Sequence, residues 1–149
     1  MITQMAALQA FDHALSASAG ADRDTWLDDG AVVVGELAAK LSEEELSLLR
    51  VIWTDRPLPW QQRCAEVLGS ARLDEAIELL MDMVASGKPD VALAALESLR
   101  EFAPARFNPE QAKRILAAIK AALERPIGPL HRVVLEAFLM TMRSAGAAP

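Results

Sequence analysis

Three stretches of this chain repeat one another, and that repetition limits its fold more than any other feature. Trp60, Cys64, Ala65, Glu66 and Leu68 stand in the same places as Val91, Ala95, Leu96, Glu97 and Leu99, 31 residues further on. A further 39 residues on, those places hold Leu130, Val134, Leu135, Glu136 and Phe138. The preceding segments keep the register: Leu46, Leu49 and Ile52 fall on Ile77, Leu80 and Met83, then on Leu116, Ile119 and Ala122. Apolar residues spaced by three and four mark amphipathic helices. Each unit is therefore a helix, a tight turn and a second helix, and neither helix buries its stripe alone. Stacked neighbours supply the missing core. The register predicts that Leu49, Leu68, Leu80, Leu96, Leu99, Leu135 and Phe138 are buried.

The punctuation agrees. A first helix is predicted over residues 2–17 and a second from an Asp24 cap to Lys40. The β-branched run Val32–Val34 also suits a strand but has no partner strand in the sequence. Ser42 and Glu45 form a capping box that satisfies two orphan amides. Pro57 and Pro59 make a stiff corner, and Gly87 and Gly128-Pro129 end helices. Asn108-Pro109 is a cap followed by Pro at the first helical position, where no amide is needed. The eight extra residues of the longer offset fall in the loop Phe102–Asn108. Together these predict an all-α chain of eight helices forming one domain over 1–149: a helical pair at 1–41 and repeats at 42–70, 71–104 and 109–145.

Pro89-Asp90-Val91 followed by Ala94 through Leu99, and Trp60 through Gly69, resemble the second helix of a short HEAT-type repeat. The resemblance covers residues 42–145. It implies a right-handed stack of helical hairpins, an α-solenoid, and a protein-binding scaffold. It departs from the family pattern where an Arg commonly braces neighbouring repeats, since Gln61, Ala92 and His131 stand there.

Charge narrows the function. The net charge is −6, which argues against neutralising nucleic-acid phosphates. Residues 1–56 hold ten acids and only four bases (Arg23, Lys40, Arg50, Arg56), while residues 57–149 hold eleven of each. The whole excess sits in the first third. It reads either as an acidic face that steers a basic partner, or as carboxylates gathered at helix N-termini where the macrodipole favours them. The longest uncharged run, Met1 to Phe11, is too short to span a bilayer. No base precedes Arg23, so no secretory signal is expected, and one cysteine permits no internal disulfide. These point to a cytoplasmic protein without a membrane partner.

Catalytic motifs are lacking. Cys64 aligns with core positions, and His13 and His131 show no metal-ligand spacing, so no catalytic residue, metal or cofactor is assigned. Asp74, Glu78 and Asp82 share one helical stripe, read as a solvated face or a partner-binding one. The binding candidates are Asp22, Asp24, Asp28, Asp29, Glu43 and Glu44 in the acidic third, with Asp55, Arg56 and Trp60 in a stiff turn. A rigid turn presenting aromatic and Arg side chains suits a binding hot spot, but Trp53 is expected buried there and Trp60 only partly exposed, which makes Asp55 and Arg56 better candidates than the rings. The alternative site is a ladder of Glu66, Glu97 and Glu136 along a concave groove. A small acidic helical repeat also resembles the immunity proteins that bacteria make against toxins. That resemblance implies a non-catalytic inhibitor whose partner is a cognate toxin with a basic surface. A scaffold or assembly subunit of a bacterial complex is the alternative reading.

Overall fold

A computed structural model describes residues 5–147, so the predicted helix start at residue 2 lies outside the described residues. Among the described residues the chain is all-α, without strands. The elements are α1 (Ala6–Ser18), α2 (Arg23–Thr25), α3 (Ala31–Ala38), α4 (Glu43–Ile52), α5 (Leu58–Val67), α6 (Asp74–Val84), α7 (Pro89–Ser98), α8 (Pro109–Leu123) and α9 (Pro129–Ala147). A widened π turn, Trp26–Gly30, joins α2 to α3 without a break, so the run Val32–Val34 is helical. Asp22, rather than Asp24, caps this segment: its Oδ1 accepts the Thr25 amide at 2.8 Å.

The second helices carry the packing. α7 lies against both α5 and α6, α4 lies against α6, and α8 pairs with α9. The seven residues singled out by the register are all buried, Leu49, Leu68, Leu80, Leu99 and Leu135 completely. Beyond α5 and α7 the chain tightens into 3-10 turns at equivalent places, Leu68–Ala71 and Leu99–Glu101. Gly69 lets these ends meet, because a Cβ there would stand 2.8 Å from the Ser98 carbonyl oxygen. The Ser98 hydroxyl in turn donates to the Ala65 carbonyl. The longer, second offset is a packed connection. Phe102 and Phe107 are buried with ring centroids 6.5 Å apart, and the Arg106 guanidinium lies over Phe102.

Arginines tie successive helices together. Arg50 of α4 donates to Glu78 and Asp82 of α6, and Arg106 donates to Asp74 at 2.8 Å. The carboxylate stripe of α6 is thereby occupied from within the chain. The capping box at α4 does more than the local sequence requires. Glu45 is buried; its Oε1 accepts the Ser42 amide at 3.0 Å, and its Oε2 accepts the Leu8 amide of α1 at 2.7 Å. Two helix starts share one carboxylate. Glu45→Ala leaves both amides without that acceptor, and urea unfolding should show a loss of about 2 kcal/mol, since hydrogen bonds to charged groups are worth about 1.5–3 kcal/mol. Glu45→Gln keeps an acceptor and should lose less.

Candidate functional site

The N-terminal third is organised around Trp26. Its indole is fully buried and donates from Nε1 to Glu66 at 2.9 Å, while the Arg63 guanidinium lies 5.1 Å from the ring centroid. Gly30 makes room for the ring, because a Cβ there would stand 2.8 Å from Cε3 of Trp26. Arg63 also donates to the Ala21 carbonyl at 2.7 Å, fixing the loop that leads into α2. With Trp26 drawn inward, Asp24, Leu27, Asp28 and Asp29 face solvent, followed by Val32, Val33 and Glu36. Leu27, Val32 and Val33 are each more than half exposed. The segment thus presents apolar side chains interleaved with carboxylates. The apolar members went unidentified in the sequence because a run of valines signals burial as readily as display.

The local bases do not neutralise this face. Arg23 makes a two-pronged contact with Glu66, Arg50 is taken by α6, and Arg56 by Asp12. Of the four bases in residues 1–56, only Lys40 has no ion pair among the described residues. Of the ten acids, Asp12 is paired and Glu45 is buried. Asp22, Asp24, Asp28, Asp29, Glu36, Glu43, Glu44 and Asp55 are exposed and have no ion pair among the described residues. Asp22 is partly committed, since the Thr25 amide holds its carboxyl below the ordinary carboxylate range. Glu43 and Glu44 lie in the first turn of α4. The macrodipole therefore accounts for those two, but not for Asp28 and Asp29, which lie inside a continuous helical run.

The stiff turn differs from its expectation. Trp60 is 1% exposed, not partly exposed, so its ring offers nothing to a partner. The cause is long-range: Trp60 Nε1 donates to Asp12 Oδ1 at 3.0 Å, and Arg56 donates to both Asp12 oxygens at 3.1 and 2.7 Å. The guanidinium also lies 5.7 Å from the Trp60 ring centroid. The Arg56 hydrogen bonds hold the Asp12 carboxyl below its usual range, against the opposing effect of burial. Arg56 is a brace between α1 and the turn, and Asp55 alone of the three stands fully exposed. Trp53 is buried as expected, beneath the Lys88 ammonium. Lys88 donates to Gln61 Oε1 at 2.9 Å, and Gln61 donates to the Arg56 carbonyl at 2.8 Å. Gln61 therefore links the turn before α5 to the start of α7.

Two rungs of the alternative ladder share one cleft. Glu66 and Glu97 line a space of about 300 Å³ with Arg23, Leu27, Arg100 and His131. Both carboxylates are engaged, Glu66 by Arg23 and Trp26, and Glu97 by His131 Nδ1 at 2.6 Å. Glu136 is exposed on α9 and does not line that cleft. A second opening of about 440 Å³ between α7 and α8 is mainly apolar, with Asp90, Arg125 and His131 among its lining residues. His131 borders both spaces.

Cys64 is fully buried, and desolvation pushes its thiol well up from the ordinary range, which suppresses the thiolate. Among the described residues no group of three His, Cys, Asp or Glu is gathered for a metal ion. No helix of the described residues is long and apolar enough to cross a membrane. Comparison of the chain with family models, curated proteins and solved structures finds no match.

Proposed function

We propose that this chain is a non-catalytic protein-binding module, built as a right-handed HEAT-like stack of hairpins, that binds a basic protein surface through its N-terminal third. The observation that carries the reading is the division of charge. The arginines of residues 1–56 are spent on internal carboxylates, and eight acidic side chains are left to solvent. Leu27, Val32 and Val33 supply apolar contact among them. Carboxylates attract and orient a cationic partner, while desolvated apolar groups slow its release. Among such modules, an immunity protein that neutralises a bacterial toxin in the cytoplasm is the specific role we assign. Its acidity and helical build support that role.

Affinity capture from the native host with the intact chain, followed by mass spectrometry, tests the reading. The expected result is a basic toxin that is retained by the wild-type chain and lost from Asp24→Lys/Asp28→Lys/Asp29→Lys. Recovery of a multiprotein complex instead supports the scaffold alternative. A partner retained equally by both chains overturns the N-terminal site.

A further inference from the structure

The helix α9 has two apolar faces, and only one of them is covered among the described residues. Leu135, Phe138 and Met142 point into the core. On the opposite side Leu130, Val133 and Met140 are 82%, 63% and 70% exposed. Together with the exposed Ala137 and Ser144 they follow a spacing of three, four, three and four residues. Over two heptads that is the a/d spacing of a two-stranded coiled coil, the narrow stripe by which one helix meets another of its kind. A helix serving only the core needs a single apolar face, so the second seam calls for its own partner.

We propose that this seam pairs two copies of the chain through antiparallel α9 helices. The occupant is identified by size and charge along the seam. In the antiparallel register that sets Met140 against Ala137 of the second copy, Val133 meets Ser144. Large side chains then face small ones at both levels, and the same contacts recur by symmetry. The flanking g positions are Glu136 and Arg143, both exposed and without an ion pair among the described residues. Antiparallel helices bring g positions together, so Glu136 of each copy comes beside Arg143 of the other, offset by two residues or about 3 Å along the axis. A parallel pairing sets Glu136 against Thr141 and Met140 against itself, leaving both charges unmatched. One helix from each copy makes a small interface, so a reversible dimer in the micromolar range is expected. This pairing uses the end of the chain remote in sequence from the acidic third and does not depend on the proposed function.

Sedimentation velocity of the full chain over a wide concentration range tests it. The wild-type chain should pass from monomer to dimer, and Met140→Glu should remain monomeric while keeping its far-ultraviolet circular dichroism. Glu136→Arg and Arg143→Glu should each weaken the dimer at least about tenfold, equivalent to about 1.4 kcal/mol. The double exchange Glu136→Arg/Arg143→Glu should restore it. Both charged positions are solvent-exposed, so these variants keep the test decisive should Met140→Glu fail to fold. A chain that stays monomeric at every concentration overturns the proposal. So does a dimer indifferent to Met140→Glu, or one that the double exchange fails to restore.

Discussion

Asp12→Ala is expected to cost the fold about 2–3 kcal/mol, because removing the carboxylate from this part-buried, hydrogen-bonded network strands a buried indole N–H and a guanidinium. Asp12 accepts three hydrogen bonds, two from Arg56 and one from the indole of Trp60. After truncation the buried Trp60 N–H has no acceptor and Arg56 loses its anchor. Urea unfolding followed by tryptophan fluorescence reads the cost directly. Arg56→Ala should cost less, about 1–2 kcal/mol, since Asp12 keeps its bond to Trp60. Acid supplies a second measurement. The Asp12 carboxyl lies below 3.8 in the folded chain, so its contribution is complete well above that value. It is lost as the pH falls through the folded-state value. The stability gap between wild type and Asp12→Ala should therefore be widest above about pH 5 and shrink on further acidification. A gap independent of pH would remove Asp12 from its bracing role.

That network also marks how far the sequence could be read. The helical periodicity was legible because it is a local signal. Positions 65, 96 and 135 and positions 68, 99 and 138 are all buried, as the apolar stripes of amphipathic helices require. Charge segregation was equally legible, being a matter of counting. Asp12 and Trp60 are 48 residues apart, and nothing in either neighbourhood announces their bond. Trp60 therefore looked available when it is enclosed. Glu45 was recognised as a cap for its own helix, while its second oxygen serves Leu8, 37 residues away. The cap at Asp22 was displaced to Asp24 because both acids precede the apolar run, and only backbone geometry separates them. Position 131 shows a subtler case. The resemblance to HEAT-type repeats implies an Arg brace at that position. His131 performs such bracing by another route, through Glu97 of the preceding unit.

Once a partner is in hand, reversing Asp24, Asp28 and Asp29 to lysine should slow its association by about tenfold to a hundredfold at low ionic strength. These three side chains are exposed and make no ion pair among the described residues, so their loss leaves the fold intact. Asp22 is kept out of the set because its cap is worth about 1 kcal/mol to the helix that displays the others. The difference between wild type and variant should narrow as salt shortens the Debye length to about 8 Å and below. Dissociation should respond instead to Val32→Ala/Val33→Ala, which removes apolar contact without altering charge. The ladder makes the opposite forecast. Glu66→Gln/Glu97→Gln/Glu136→Gln retains an acceptor for the Trp26 indole and so preserves the packing around it. If that variant stays folded yet releases the partner, while the lysine variant associates at the wild-type rate, the cleft between α5 and α7 is the interface. The expectation is the reverse, because Glu66 and Glu97 already have partners within the chain, whereas Asp24, Asp28 and Asp29 have their charges free.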